Sequence, residues 1–199
     1  MRIQKGENPN HPKEGSLIKV EPIRRIEDIK SIKKMLESNP LHFALFTIGI
    51  NTNLRASDLL QLTVGQVKHL KPMDDIELRE KKTGKLRRVS MNKGCIDAIK
   101  KLLDSKPYSD EDFLFKGQRG VMQVPTVSQL VKSWCKKINL KGNYAAHSLR
   151  KTWGYHMRTT FGMGLPELTL CFNHSTQRQT LEYLCIQPEE VKNCYANQL

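Results

Sequence analysis

The chain has 199 residues, 38% of them hydrophobic, and its 33 Lys+Arg outnumber 20 Asp+Glu for a formal net charge of +13. That length supports one sizeable core, and the excess of cations favours a polyanionic partner, nucleic acid first and an anionic membrane surface second. No apolar run approaches the ~20 residues that span a bilayer, and the first residues lack the apolar stretch of a signal peptide, so the expectation is a soluble, cytoplasmic protein.

Residues 1–22 are polar, rich in Lys, Pro, Gly and Asn, and show no apolar period, which predicts an N-terminal arm or linker ahead of a single domain over 23–199. From Ile26 the positions Ile26, Ile29, Ile32, Met35 and Leu36 recur at helical spacing, with Pro40 beyond the expected stop. A second helix is expected over Leu41–Ile50, and a third from Ala56 that carries Leu59, Leu60 and Leu62 inward. Asp75–Arg79 then alternates with period two, Lys82-Thr-Gly-Lys85 supplies a turn, and Arg87–Met91 resumes strand-like residues, the pattern of an antiparallel hairpin. Phe113–Phe115 reads as a short apolar patch between loops. Helical patterns return at Gly94–Leu103, Thr126–Ile138, His147–Phe161, Leu165–Cys171, Gln177–Leu184 and Pro188–Asn197. The fold class expected is mainly α with one small antiparallel β-sheet.

The five cysteines (Cys95, Cys135, Cys171, Cys185, Cys194) include no C-x-x-C pair and the six histidines no H-E-x-x-H, so reduced thiols and no structural metal are expected. The residues able to carry chemistry are each weak alone. Arg55 precedes a helix start, where its planar guanidinium could fork onto two phosphate oxygens, although a lone Arg there is more often a surface or ion-paired residue. Lys82, with Lys85, Arg87 and Arg88, reads alone as a solvated basic hairpin. His147 and Arg150, three apart, share one helix face and can reach a single anion. His174, at the end of a short helix, is by itself a cap or surface residue, and Tyr183 a core aromatic with its hydroxyl at the rim.

Order and spacing together say more. Asn53-Leu-Arg-Ala-Ser-Asp-Leu-Leu60, Lys82-Thr-Gly84, Ala146-His-Ser-Leu-Arg-Lys-Thr152, and Phe172-Asn-His-Ser-Thr176 followed by Tyr183 nine residues after His174 resemble the boxes of the tyrosine recombinase or phage integrase family. The resemblance spans roughly residues 22 to 190. Two departures stand out: Asn53 and Asn173 replace glycines usual in the family. Asn tolerates the left-handed backbone region, so both turns are expected to survive.

The resemblance implies a tyrosine-recombinase catalytic domain over 23–199 that integrates, excises or inverts DNA through a 3′-phosphotyrosyl intermediate. Arg55 and Arg150 would clamp the scissile phosphate, His174 would hydrogen-bond a non-bridging oxygen, and His147 would assist proton transfer at Tyr183, the nucleophile. Lys82 would be the general acid for the leaving 5′-hydroxyl, and no ATP, metal or other cofactor would be needed. Lys85, Arg87, Arg88 and Lys151 are expected to contact DNA. The implied partners are a double-stranded recombination site, a homotetramer assembled on it, and DNA-bending accessory proteins, with nucleoid association when bound. Gln187–Leu199 is expected to form an amphipathic tail that docks on the neighbouring subunit. Most relatives carry a separate N-terminal clamping domain; a minimal recombinase and the catalytic half of a longer integrase both fit, and Met1 favours the former. Two other classes remain open. A non-catalytic DNA-binding protein would account for the charge but not for Tyr183 and Lys82 in register with the Arg and His residues; a type IB topoisomerase-like enzyme shares the chemistry without site specificity.

Overall fold

The structure, a computed structural model, describes residues 20–117 and 120–184. The expected tail over 187–199 and most of the expected arm lie outside the described residues.

Helix α1 (Ile26–Leu36) turns Ile29, Ile32 and Leu36 inward, with Glu27 and Asp28 in its first turn and Lys33 and Lys34 in its last, each sign matched to the helix dipole. The Asn39 side chain accepts a hydrogen bond from the His42 amide to cap α2 (Pro40–Gly49), and Pro40, fixed in φ and lacking an N–H, suits the first turn. Every residue from Ala44 to Gly49 is buried, which makes α2 the central helix. A Cβ on Gly49 would sit 2.7 Å from Leu149 Cδ1, so only glycine lets α2 approach α7 (Ala146–Thr159) this closely.

The expected third helix is a single turn, α3 (Ala56–Leu59), followed by another, α4 (Val64–Val67). Thr63 interrupts the run with extended backbone, and its amide donates to Gln66 Oε1 at 3.0 Å at the start of α4. The hairpin forms as expected from β1 (Asp75–Arg79) and β2 (Leu86–Ser90), with Ile76 opposite Val89 and Leu78 opposite Arg87. Helix α5 (Lys93–Leu103) packs on α2, and α6 (Val124–Lys137) packs on α7, with Trp134 edge-on to Phe46 at 5.8 Å. The single expected sheet is corrected to two: β3 (Lys116–Gly117) and β4 (Gly120–Val121) form a second small hairpin, too short for period-two alternation to reveal. Leu114 and Phe115, just before it, are fully buried.

Helices α8 (Leu165–Phe172) and α9 (Gln177–Leu184) complete the described fold. Leu168, Phe172 and Leu184 form a small core of their own, apart from the main one, with Trp153, Met157, Met163 and Tyr183 packed against it. Gly154 on α7 leaves the space into which Phe172 and Leu184 fit. The segment before α1 is anchored to α7 and its approach: the Glu21 amide donates to Asn143 O at 2.8 Å, the Ile23 amide to Thr152 Oγ1 at 2.8 Å, and His156 Nε2 lies 3.0 Å from Ile23 O.

Candidate active site

After α2 the chain reverses through Asn53, which is buried and holds φ 52°. This left-handed turn delivers Arg55 to the N-terminal edge of α3. Its guanidinium is largely enclosed and meets the fully buried Glu80, Nη1 to Oε2 at 2.6 Å. Glu80 Oε1 takes Arg87 Nη1 at 3.0 Å, and Thr83 Oγ1 donates to Oε2 at 2.6 Å. Asp58 Oδ1 accepts from the Lys81 amide at 2.9 Å. The turn bearing Lys82 is therefore tied on one side to α3 and on the other to the carboxylate that holds Arg55. Lys82 itself is exposed.

His147 and Arg150 lie in the first turns of α7. The amides at its start are satisfied locally: Ala145 N donates to Ser148 Oγ at 3.1 Å and Ala146 N to Ser128 Oγ at 3.3 Å. Arg150 is 2% exposed and donates to Asn53 O at 2.7 Å and to Phe172 O at 2.8 Å. The second acceptor exists because α8 ends there. Asn173 takes the left-handed conformation, φ 55°, stops the helix, and leaves the last carbonyls without intrahelical donors. Arg150 takes Phe172 O; Arg87 Nη2 takes Cys171 O at 2.7 Å, an acceptor shared with Asn53 Nδ2 at 2.8 Å. Two buried cations thus sit on the negative end of α8. Both expected Asn turns are present.

Past that turn His174 stacks on Phe172, ring centroids 5.1 Å apart, and meets Tyr183 edge-on at 5.6 Å. The Arg150 guanidinium lies 5.9 Å from the Tyr183 ring centroid and the Lys151 ammonium 5.1 Å from it. Arg55, Lys82, His147, Arg150, His174 and Tyr183, together with Ala56, Ser57 and Val124, line one cavity of about 310 Å³.

The electrostatics suit an anion. Burial, followed by the charges of Arg150 and Arg55, pulls the His174 pKa down to about 4. His147 shifts down for the same order of reasons: its packed surroundings first, then Arg150, Lys82, Lys151 and Arg55. Burial lowers Arg150 to about 10, which still leaves it charged at neutral pH. Burial alone would raise the Glu80 pKa, but hydrogen bonds from Thr83, Arg55 and Arg87 outweigh it and bring the carboxyl to about 2. The cavity is therefore lined by Arg55, Lys82 and Arg150 together with two imidazoles, His147 and His174, whose surroundings disfavour the protonated form.

The structure brings all six expected site residues to one place. The expected DNA-contacting cations divide. Lys85 and Arg88 are exposed on the hairpin, where Arg88 pairs with Glu77 on the facing strand. Arg87 is corrected to an inward residue: it is 8% exposed, and its guanidinium is committed to Glu80, Asn53 O and Cys171 O. Lys151 is also buried, against Tyr183. Glu80 and Asp58 were not singled out in the sequence. Strand alternation carries the missing signal for Glu80, because Ile76, Leu78 and Glu80 fall on one face and Arg87 on the facing strand lies among them.

Comparison with known proteins bears on the family and the fold. The sequence model described as "Phage integrase family" matches residues 25–190. A probable integrase/recombinase, YoeC of Bacillus subtilis, is 30% identical over 181 residues, covering 88% of this chain and 95% of its own. The chain belongs to the phage integrase family. Its fold is that of the tyrosine recombinase catalytic domains: the crystal structure of XerA recombinase superposes with a TM-score of 0.71 at 19% identity, covering 91% of this chain and 65% of that one. XerH recombinase bound to its palindromic difH substrate, a post-cleavage complex, gives a TM-score of 0.71 at 16% identity, covering 90% of this chain and 54% of that one. This integrase-family chain thus spans less than two thirds of either solved recombinase.

Proposed function

We propose that this chain breaks and rejoins DNA at a specific site through a covalent link between Tyr183 and a 3′-phosphate. The observation that carries the reading is the cavity lined by Arg55, Lys82, His147, Arg150, His174 and Tyr183. The Tyr183 oxygen attacks phosphorus while its proton passes to His147. The bond to the 5′-oxygen breaks, and the Lys82 ammonium gives that oxygen a proton. Arg55 and Arg150, preorganised by Glu80 and by the end of α8, stabilise the charge on the non-bridging oxygens, with His174 as a further donor. Attack by an incoming 5′-hydroxyl on the phosphotyrosine reverses each step, so the bond energy is conserved and no cofactor is required. Lys85 and Arg88 on the exposed hairpin would meet the DNA backbone. Two duplexes held by four copies, with accessory proteins that bend the DNA, complete the reading.

The test is a nicked suicide substrate carrying the native site. Wild-type protein should accumulate a covalent complex that Tyr183→Phe abolishes while binding stays within about two-fold, since the substitution removes the attacking oxygen and no phosphate-binding cation. Equal loss of binding and cleavage would sink the nucleophile assignment. Relaxation of supercoiled DNA that lacks any site would point to a topoisomerase instead.

A further inference from the structure

His174 is given a phosphate contact in the proposed chemistry, but a neutral imidazole has only one N–H, and its location decides what the ring can do. His174 Nδ1 lies 3.0 Å from Thr180 Oγ1, which lies 3.0 Å from Thr169 Oγ1, which in turn donates to Leu165 O at 2.8 Å. Thr180 is fully buried, so its hydroxyl is committed to these two neighbours. Each hydroxyl has one proton and a carbonyl can only accept. The Thr169 proton goes to Leu165 O, the Thr180 proton then goes to Thr169, and the donor left for the last contact is Nδ1–H. Satisfying all three contacts leaves the lone pair on Nε2.

We propose that Thr180, braced by Thr169, is a positioning residue that fixes the His174 ring and holds it as the Nδ1–H tautomer in the DNA-free protein. The inference rests on the reading of His174 as a phosphate contact. The cations around the ring come from several elements: Arg55 at the start of α3, Lys82 from the β1–β2 hairpin and Arg150 from α7, with His147 on the same helix, all line the cavity, and the charge of Arg87 acts from behind α8. Opposing them are Glu80, whose charge reaches the ring, and Asp58, whose Oδ2 lies 3.9 Å from Arg55 Nη1. A docked phosphate reverses that balance. Nε2 then takes a proton from solvent, and the imidazolium donates from Nδ1 to Thr180 and from Nε2 to a phosphoryl oxygen without breaking any contact in the relay.

Three variants test this. In DNA-free protein with ¹⁵N-labelled histidine, held near pH ~7.5 so that the ring is neutral, His174 should show the Nδ1–H pattern in wild type and in Thr180→Ser. Thr169→Val should switch it to Nε2–H, because Thr180, deprived of its acceptor, then donates to Nδ1. Thr180→Val, which keeps the shape and removes the hydroxyl, should lose the Nδ1–H preference and lower suicide-substrate cleavage by about ten-fold or more at unchanged DNA affinity, the usual effect of removing a partner that orients a reacting side chain. Thr180→Ser should restore the rate. A wild-type tautomer in both Val variants would overturn the proposal even if either of them folded poorly enough to lose activity. If His174→Ala cleaved normally, the phosphate-contact reading would fall, while the tautomer pattern would still decide whether the relay exists.

Discussion

Glu80 stands between Arg55 and Arg87, its two carboxylate oxygens 2.6 Å and 3.0 Å from their respective Nη1 atoms, with no exposed surface of its own. One of those cations faces the cavity and the other braces α8 from behind. Removing the carboxylate takes away the ion-pair partner of Arg87 and leaves Arg55 only the longer contact to the buried Asp58, Nη1 to Oδ2 at 3.9 Å. Glu80→Ala should therefore cost about 3 kcal/mol of unfolding free energy, the scale for breaking one side of a buried ion pair, and should lower cleavage further than binding. Urea denaturation checks the first part; a stability loss within error of zero would mean that Arg55 and Arg87 find other partners.

Neighbours on β2 should behave oppositely. Arg87 is enclosed and holds three elements together, whereas Arg88 is exposed and pairs with Glu77. Arg87→Ala should destabilise the domain by an amount measurable as a lowered Tm. Arg88→Ala should leave Tm within a degree or two and make DNA binding less sensitive to salt, by about one unit of slope for each phosphate the side chain no longer neutralises. Matching melting curves for the two variants would remove the distinction.

Arg150→Lys keeps the charge but not the fork. The guanidinium spends one N–H on Asn53 O and one on Phe172 O and still has others to direct into the cavity. A lysine ammonium cannot span that arrangement, so cleavage should fall by ~10²-fold or more. Single-turnover kinetics would show it; a lysine variant close to wild type would rule out the fork as the source of orientation.

Stability should depend on pH through His174. Its folded pKa, about 4, lies below the ordinary 6.5, so between those values the unfolded chain takes up a proton that the folded protein resists. The contribution is fully present above pH 6.5 and is lost as the pH falls towards 4. His147 and His42 shift in the same direction. Thermal melts from neutral pH to pH 4 should show a shallower fall for His174→Asn than for wild type; parallel slopes would contradict the assignment.

Long amphipathic elements were legible because their periodicity records which face is buried: α1 begins and ends where Ile26 and Leu36 place it, and α9 matches Gln177–Leu184 in full. The six cavity residues were legible as an ordered set, although none was convincing alone. Arg87 was misread because a cation on a basic hairpin looks solvent-facing until its acceptors are known, and those acceptors are carbonyls 34 and 84 residues away in sequence. The Thr180 relay was invisible for a related reason, since a hydroxyl gains its role from what folding puts beside it. The second hairpin, two residues per strand, is too short to leave a pattern.

The C-terminal end of α8 grips Arg150 and Arg87 through Phe172 O and Cys171 O, while the same helix and α9 carry Tyr183 on a core separate from the main one. Breathing motions favour small units held by few buried apolar side chains. A fluctuation that lifts α8 and α9 from α7 removes the tyrosine and, in the same event, releases both arginines from their anchors. On the proposed function, such an event would displace the nucleophile Tyr183 and loosen Arg150 of the phosphate clamp together, so a partly opened molecule would be inert instead of half-competent.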